Sequence, residues 1–251
     1  MAVDVFGLKK LKSMFKSLFK RKSEVNKRPL MISFYQKWVK PGQLVFDIGA
    51  NVGNRIDLFL ELGAKVVAVE PQQACIEILQ KKYRDKINIE NIGLSHSEGL
   101  LEFHIADVST ISSFSEEFIS KTGANRFKRN KWKETIKVPV STFDKLIEKY
   151  GVPDFSKIDV EGFELEVLKG LNQKIPALSF EYCVPEMSEK LYECLERSHT
   201  IDPSASYNYS IGESFVLASD KWHSFPEFLS LAKERSFHKT LFGDIYIQFS
   251  K

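Results

Sequence analysis

Acidic side chains at a strand-to-helix junction are the first candidates for chemistry in this sequence. The stretch SKIDVEGFELEVLKGL, residues 156–171, ends a strand-like run at Asp159 and starts a helix-like run within a few residues. Carboxylates placed at such a junction are able to accept a proton or to bind a cation. Glu161 and Glu164 also fit the acid-rich first turn of a helix, so two interpretations of Glu161 stay open. Asp159 ends the strand itself, which favours a role in a site.

A second group of candidates surrounds the stretch FDIGANVGN, residues 46–54. Asp47 lies at the end of a buried strand predicted over Leu44–Ile48, and Gly49 and Gly53 allow a tight turn and the close approach of a ligand. The next predicted strand ends in Glu70, where a carboxylate is placed to accept both hydroxyl groups of a ribose. In open α/β sheets, ligands bind at these carboxyl ends of the strands.

The residue types of this turn distinguish between two nucleotide cofactors. A dinucleotide requires G-x-G-x-x-G, in which the middle glycine admits a pyrophosphate, but Asn51 occupies that position here. Asp47 would also repel a pyrophosphate. S-adenosylmethionine (SAM) has no phosphate and carries an ammonium and a sulfonium, which carboxylates attract. The pattern therefore favours SAM, with Asp47, Gly49, Asn51 and Gly53 near its methionine end.

Three further residues are placed by the same logic. Asn91 and Gly93 follow the third predicted strand, where they are candidates for the adenine side of the cofactor site, or for a simple turn. Glu181 in the stretch SFEY ends a strand, where we expect it at the rim of the active site. The predicted catalytic residues are therefore Asp159, Glu161 and Glu181.

Strand and helix patterns alternate from about Met31 onward, which predicts an α/β fold with a doubly wound, mostly parallel sheet. The last two predicted strands, FVLAS and DIYIQF, break the alternation and indicate an antiparallel edge. Residues 107–134 also break it, and they include Arg126, Lys128, Arg129, Lys131 and Lys133. We interpret them as an insertion or lid over a substrate, or as a solvated excursion.

Charge divides the chain into two parts. Residues 1–28 hold nine lysine and arginine residues against Asp4 and Glu24, a net charge of +7, whereas the whole chain carries +3. The remaining residues, 29–251, therefore carry −4 and are predicted to form one domain. This mildly acidic domain argues against a nucleic-acid partner. Three cysteines without metal-binding spacing are typical of reduced thiols in a cytoplasmic protein.

The basic N-terminal residues have the pattern of an amphipathic helix. In FGLKKLKSMFKSLFKRK, an apolar stripe recurs at steps of three and four and lysines fill the other face. A helix over residues 5–22 would lie on an anionic membrane surface, as a peripheral anchor, or would pack on the domain or on a partner subunit. The oligomeric state is left open by the sequence.

Several stretches together resemble the FkbM-type family of class I SAM-dependent methyltransferases. They run in the family's order from about Leu44 to Phe249 and read VFDIGANVGN, VVAVEPQ, NIGLS, VPVSTFDKLI, KIDVEGFELEVLKGL, SFEY and FGDIYI. The resemblance implies a Rossmann-like sheet of seven strands with an antiparallel last strand. It also implies methyl transfer to a hydroxyl group, commonly on a sugar, polyketide or related metabolite.

The residues leave some aspects of the mechanism open. One of the three carboxylates would accept the hydroxyl proton, or two of them would hold a divalent cation that lowers the hydroxyl pKa. The rival functions are an RNA methyltransferase steered by the basic residues, and a non-catalytic SAM-binding protein at a membrane.

Overall fold

The computed structural model describes residues 27–250, so the predicted amphipathic helix over residues 5–22 lies outside the described residues. The strands are β1 (Leu44–Ile48), β2 (Lys65–Val69), β3 (Asn88–Glu90), β4 (Gly93–Leu94), β5 (Gly99–Ala106), β6 (Trp132–Ser141), β7 (Phe155–Ile158), β8 (Ala177–Cys183), β9 (Ser206–Tyr209) and β10 (Phe242–Gln248). The helices are α1 (27–35), α2 (Ile56–Glu61), α3 (Gln73–Tyr83), α4 (Glu116–Gly123), α5 (Phe143–Tyr150), α6 (Glu164–Lys169), α7 (Ser188–Ile201), α8 (Phe225–Ala232) and α9 (Arg235–His238). Within residues 27–250, no helix has the length and apolar character needed to cross a membrane.

Seven strands form the main sheet in the order β3-β2-β1-β7-β8-β10-β9. In this sheet the neighbouring strands β3, β2, β1, β7 and β8 pair in parallel, whereas β10 runs antiparallel to both β8 and β9. The sheet order reverses direction between β1 and β7, and this switch point places the carboxyl ends of both strands beside one crevice. The predicted doubly wound sheet of seven strands with an antiparallel edge is confirmed.

Both faces of the central strands are covered, which explains their continuous apolar sequences. On β1, Phe46 and Ile48 face a core layer that includes residues of α5, α6, α7 and α8. Val45 faces the opposite layer, which includes residues of α1, α2 and α3. Side chains alternate along a strand, so Asp47 lies on the same face as Val45, at the end of the strand that borders the crevice.

Two predicted strands differ from the structure. The predicted strand INIENIGL is divided into β3, in the main sheet, and β4, in a second sheet of order β4-β6-β5. The prediction of a strand at FVLAS is wrong, because residues 215–219 are irregular and β9 forms the sheet edge instead. Phe215 is buried, but its ring packs on the aromatic side chains of α1 rather than in a ladder.

The segment between β5 and β6 has its own structure. It contains a 3₁₀ turn at Ser109–Ile111 and helix α4, whose first turn is capped by the Ser115 hydroxyl. The Trp132 indole donates a hydrogen bond to the Ile111 carbonyl, 2.9 Å away, which ties the end of the segment to its start. The segment borders the crevice at the carboxyl edge of the sheet through Ser109 and neighbouring residues.

Phe155 anchors β7 in the core and allows a test of this packing. Its ring is fully buried against Tyr35, Trp38 and Phe59, with centroids 5.8–6.3 Å apart. We expect Phe155→Ala to lower the free energy of unfolding by about 3–5 kcal/mol in urea titrations, because the cavity cannot close fully. Val152→Ala, at an exposed position of the preceding loop, is the control, with a change within about 0.5 kcal/mol. Equal effects of the two substitutions would contradict this packing.

Candidate active site

A cavity of about 320 Å³ opens at the carboxyl ends of β1, β2, β7 and β8, and we call it the inner chamber. This volume lies within the usual range of small-molecule sites. The predicted site residues that line it are Asp47, Gly49, Asn51, Glu70, Gly93, Asp159, Glu161 and Glu181. Two predicted residues, Gly53 and Asn91, do not line it. The structure thus brings together eight of the ten side chains or backbone positions that the sequence indicated.

The turn after β1 is shaped by close backbone packing. Gly49 has φ 83°, and a Cβ atom there would lie 1.8 Å from the Asp159 carbonyl oxygen. Gly53 also has φ 83°, and a Cβ atom there would lie 2.7 Å from the ring of Tyr83. Asn51 adopts a left-handed conformation with φ 48°, which asparagine tolerates better than most residues. The positive φ values agree with the tight turn predicted for both glycines, and the close approach at each comes from neighbouring protein atoms rather than from a ligand alone.

Asp47 is a buried carboxyl group that faces the inner chamber. Only 3% of the residue is exposed, and no described residue donates a hydrogen bond to its carboxylate. Burial raises the pKa of Asp47 to about 6, and the charge of Lys157 limits this rise. A buried carboxylate that accepts no hydrogen bond from residues 27–250 is costly, and a ligand cation would stabilise it. This observation fits the ammonium and sulfonium groups of SAM.

Glu70 is held in place by the backbone of two turns. Its carboxylate accepts hydrogen bonds from the amides of Asn51 and Gln72, each 2.8 Å away. Burial raises its pKa to about 7, although both hydrogen bonds act in the opposite direction. A carboxylate has about four lone-pair positions, so two remain for the hydroxyl groups of a ribose.

Asn91 and Gly93, which were predicted for the adenine side of the cofactor site, have different roles in the structure. The side-chain amide of Asn91 donates to the carbonyls of Glu70 and Pro71, at 3.1 and 3.2 Å, and so braces the loop after β2. Gly93 does line the inner chamber, where a Cβ atom would lie 2.5 Å from the ring of Phe114. Phe114 packs on Phe103 with centroids 4.6 Å apart, and the two rings give this end of the chamber an apolar wall.

The three predicted catalytic acids converge. Carboxylate oxygens of Asp159, Glu161 and Glu181 all lie within 4.8 Å of one another. Asp159 follows β7 directly, and Glu181 lies on the adjacent parallel strand β8, one residue beyond the Ile158–Phe180 pair. We call these three residues the carboxyl trio.

Glu161 lies outside the helix that follows. Helix α6 begins at Glu164, and Glu161 adopts a left-handed conformation with φ 54° in the preceding loop. Its carbonyl accepts a hydrogen bond from the buried Ser113 hydroxyl, 2.6 Å away. Glu164 instead accepts from the backbone amides of Val160 and Gly162, at 3.2 and 3.1 Å. The acid that supports the start of the helix is therefore Glu164, and Glu161 belongs to the trio.

Lys157 is a central residue that the sequence interpretation did not single out. It lies on β7 opposite Asp47 of β1, it is 3% exposed, and its ammonium pairs with the Asp159 carboxylate. Burial opposes the charge of Lys157, but Asp159 and Asp244 hold its pKa above the ordinary value. The signal was present in the sequence, because a lysine within an otherwise buried strand requires a partner.

The members of the trio differ in their protonation. Burial would raise the pKa of Asp159, but the charge of Lys157 outweighs it and holds that pKa below the ordinary range. Burial, reinforced by the charge of Asp159, raises the pKa of Glu161 and of Glu181 well above their ordinary value. The pKa of one acid is thus lowered while the pKa values of its two neighbours are raised, a pattern that is typical of catalytic sites.

A second cavity of about 380 Å³ adjoins the first, and we call it the outer chamber. Both cavities share the lining residues Arg55, Lys157, Asp159, Glu181 and Glu213. The outer chamber is further lined by Lys27, Gly212, Phe242, Gly243 and Asp244.

Arg55 forms part of the wall between the chambers. Its guanidinium donates to the Glu213 carboxylate, 2.7 Å away, and lies 5.1 Å from the centroid of the Phe215 ring. Neither Arg55 nor Glu213 was identified from the sequence. They are separated by 158 positions along the chain, and no local pattern indicates their contact.

The model of the methyltransferase FkbM domain matches residues 47–235, which is most of the chain. No curated protein matches the chain in sequence.

Three solved structures with a similar course of the chain share little sequence with it. A precorrin-6y C5,15-methyltransferase from Geobacter metallireducens GS-15 has 10% identity over 89% of this chain and 86% of its own, with a TM-score of 0.46. A TehB-like SAM-dependent methyltransferase from Corynebacterium glutamicum has 8% identity over 95% and 100%, with a TM-score of 0.44. An rRNA methylase from Streptococcus thermophilus has 11% identity over 88% and 94%, with a TM-score of 0.42.

The raised pKa of Asp47 gives a prediction in which stability and binding change in opposite directions. The folded pKa of about 6 exceeds the unfolded value of 3.8, so ionised Asp47 lowers stability, and this cost develops as pH rises from about 4 to about 6 and persists above. We expect Asp47→Asn to stabilise the free protein at pH 8 by roughly 2–3 kcal/mol, with no gain near pH 3. Urea titrations at both pH values measure this change, and calorimetry should show weaker SAM binding by the same variant.

Asp57→Asn is the matched control, because Asp57 is an exposed acid of α2 that pairs with Lys82. Its effect on stability should stay within about 0.5 kcal/mol, and SAM affinity should not change. If Asp47→Asn destabilised the protein at pH 8 and kept full SAM affinity, Asp47 would have a structural role only.

Proposed function

Because the chain belongs to the FkbM family of SAM-dependent methyltransferases, we propose that it transfers a methyl group from SAM to a hydroxyl group of a sugar, glycan or related metabolite. The observation that carries this proposal is the position of Asp159 and Glu181 of the carboxyl trio in the wall shared by the two chambers. One chamber has the residues expected for SAM, and the other leaves room for an acceptor.

The inner chamber offers complementary groups along its length. The carboxylate of Asp47 suits the cationic end of SAM, and Glu70 has lone pairs left for a ribose. Ile92, Leu94, Phe103 and Phe114 provide apolar surface at the other end, which suits a base. SAM, when bound, supplies a methyl group on a positively charged sulfur that makes it a good electrophile. The protein then has to position the acceptor hydroxyl and remove its proton.

The outer chamber suits an acceptor with several hydroxyl groups. Its lining combines the acids Asp159, Glu181 and Asp244 with the cations Arg55 and Lys157. Carboxylates accept hydrogen bonds from hydroxyl groups, and the guanidinium and ammonium groups donate to them. Such a surface favours a polar acceptor over an apolar one, and this supports a carbohydrate-like substrate.

The carboxyl trio divides the work of orienting and deprotonating the hydroxyl group. Asp159 is ionised because of Lys157, so it accepts a hydrogen bond and orients the hydroxyl, but its low pKa makes it a weak base. Burial and the charge of Asp159 raise the pKa values of Glu161 and Glu181, and a carboxylate with a higher pKa is a stronger base. One of these glutamates would receive the proton as negative charge leaves the acceptor oxygen.

A divalent cation is the second mechanistic possibility. Three carboxylate oxygens within 4.8 Å are the hard ligands that Mg²⁺ or Ca²⁺ prefers, and a bound cation would lower the pKa of the acceptor hydroxyl. The ammonium of Lys157 already neutralises Asp159, which reduces the attraction for a cation. Loss of methyl transfer in a chelator, restored by Mg²⁺, would favour the metal; full activity in the chelator would favour the general base.

Transfer of labelled methyl groups from SAM into fractionated extracts of the source cell tests the acceptor class. We expect the label in a carbohydrate-containing fraction that glycosidases degrade. Label in a fraction that only ribonuclease degrades would contradict the proposal and support RNA methylation. SAM binding without transfer to any fraction would support a non-catalytic protein.

Substitution of the trio tests the mechanism. Glutamine resembles a protonated glutamate in shape, so Glu161→Gln and Glu181→Gln should fold normally. At SAM concentrations that saturate each variant, we expect at least one of them to lower kcat by about 10²–10⁴-fold, because the general base is lost. The control is Glu166→Gln. Glu166 is an acid of α6 that pairs with Lys169, and its substitution should leave turnover normal. Normal turnover in Glu161→Gln, Glu181→Gln and Asp159→Asn alike would exclude a carboxylate mechanism.

The raised pKa values also predict that SAM binding releases protons. A sulfonium near Glu161 and Glu181 stabilises their ionised forms, so their pKa values should fall when SAM binds. S-adenosylhomocysteine lacks the transferred methyl group and with it the sulfonium charge, is otherwise identical to SAM, and is the matched control ligand. Calorimetry at pH 7 in buffers of different ionisation enthalpy should show more proton release with SAM than with S-adenosylhomocysteine. Equal release by the two ligands would place these carboxyls away from the sulfur.

A further inference from the structure

The mouth of the outer chamber is bordered by exposed apolar side chains, which soluble surfaces usually avoid in groups. Ile211, Leu241 and Phe242 are 44%, 50% and 42% exposed. Two backbone segments carry them side by side, because the amide of Gly212 donates to the Phe242 carbonyl, 2.8 Å away. Gly212 and Phe242 both line the outer chamber. We call Ile211, Leu241 and Phe242 the apolar rim.

Cationic side chains lie next to this apolar rim. Lys239 is exposed two residues before Leu241, and the Arg126 guanidinium donates to the Leu241 carbonyl at 3.2 Å, although its charge is paired with Glu186 at 2.9 Å. Among residues 27–250, no carboxylate forms a salt bridge with Lys239. Lys27 lines the outer chamber, and its ammonium donates to the Glu213 carbonyl, 3.2 Å away. Apolar groups flanked by lysine and arginine are typical of surfaces that contact anionic lipids.

The N-terminal residues reach the described structure at this same place. Residues 1–26 precede Lys27, and they include seven lysine and arginine residues against Asp4 and Glu24. Their apolar residues recur with helical spacing between lysines, the pattern that predicts a surface helix on a bilayer. Because Lys27 borders the outer chamber, this basic segment joins the domain beside the apolar rim. Two separate features, one in the sequence and one in the fold, therefore favour the same partner at the same mouth.

We propose that the apolar rim docks on an anionic lipid bilayer, so that the outer chamber opens toward the headgroup layer. The acceptor would then be a lipid-linked molecule whose polar head enters the chamber while its lipid stays in the bilayer. The docking itself stands on the rim and its cations, and the lipid-linked acceptor rests on the proposed methyl transfer. A second copy of this chain would bring the same cations together, and an RNA partner would gain little from exposed Ile211, Leu241 and Phe242.

Vesicle sedimentation with the full chain tests the docking. The rim variant is Ile211→Asp with Leu241→Asp; neither residue lines a chamber, and aspartate tolerates the left-handed conformation of Leu241 (φ 69°). We expect wild type to bind vesicles of phosphatidylcholine with phosphatidylglycerol more tightly than vesicles of phosphatidylcholine alone. The rim variant should lower the partition coefficient onto the anionic vesicles by at least about tenfold, because apolar burial is lost and negative charge is added.

The control variant, Leu100→Asp with Val152→Asp, makes the same change of charge at exposed apolar residues elsewhere. Leu100 lies on the second sheet. Val152 precedes β7, so it lies at the amino ends of the parallel strands, opposite the end where the chambers open. The partition coefficient of the control variant onto anionic vesicles should stay within about twofold of wild type, and only the rim variant should show the tenfold loss. An equal loss in both double variants, or no loss in the rim variant, would overturn the proposal.

Three other results would also overturn the docking. They are no binding of wild type to anionic vesicles, equal binding to both kinds of vesicle, or a rim variant that turns a dimer into a monomer while vesicle binding stays unchanged. SAM binding is measured by thermal shift on the same samples. Absent SAM binding would refute the proposed methyl transfer, whereas the vesicle measurement alone decides the docking.

Discussion

The buried ion pair between Lys157 and Asp159 is the interaction on which the candidate site depends. The Lys157 side chain is only 4% exposed, at the bottom of the two chambers, so its ammonium requires an anion. Removing Asp159 would leave the Lys157 charge buried alone, and such a loss typically costs about 3–5 kcal/mol. The pair therefore links the stability of the central strand to the presence of Asp159 at its end. It also provides the positive charge that allows Asp47 and Asp244 to lie nearby.

Backbone contacts fix the directions in which the acidic side chains point. The turn after β1 packs so closely on the loop after β7 that a side chain at Gly49 would overlap the Asp159 carbonyl oxygen. The same loop is held from the other side, where the Ser113 hydroxyl binds the Glu161 carbonyl. Glu161 is thereby kept in a left-handed conformation that a free chain would rarely adopt. Its carboxylate is positioned by its own backbone rather than by a hydrogen-bonding neighbour.

What the sequence could predict depended on how far apart along the chain the interacting residues lie. Alternation of apolar strands with helices predicted the doubly wound sheet, and acids at strand ends predicted Asp47, Glu70, Asp159 and Glu181, because both signals are local. The strand assigned to FVLAS was wrong because apolar character alone does not separate a strand from a loop whose Phe215 packs on α1. The contact of Arg55 with Glu213 joins distant parts of the chain, which no local pattern reveals. The roles of Gly49 and Gly53 required coordinates, since a glycine in sequence does not show what approaches it.

The wall shared by the two chambers limits the chemistry that this fold supports. A group that passes from the outer chamber toward the inner chamber meets Arg55, Lys157, Asp159, Glu181 and Glu213, all of which carry ionisable side chains. An apolar acceptor would have to desolvate these groups without replacing their hydrogen bonds, which costs free energy for each one. An acceptor with hydroxyl groups replaces those bonds and brings its oxygen beside groups that can hold its proton. The apolar wall of Phe103 and Phe114 lies only in the inner chamber, so the two chambers differ in polarity as cofactor and acceptor would.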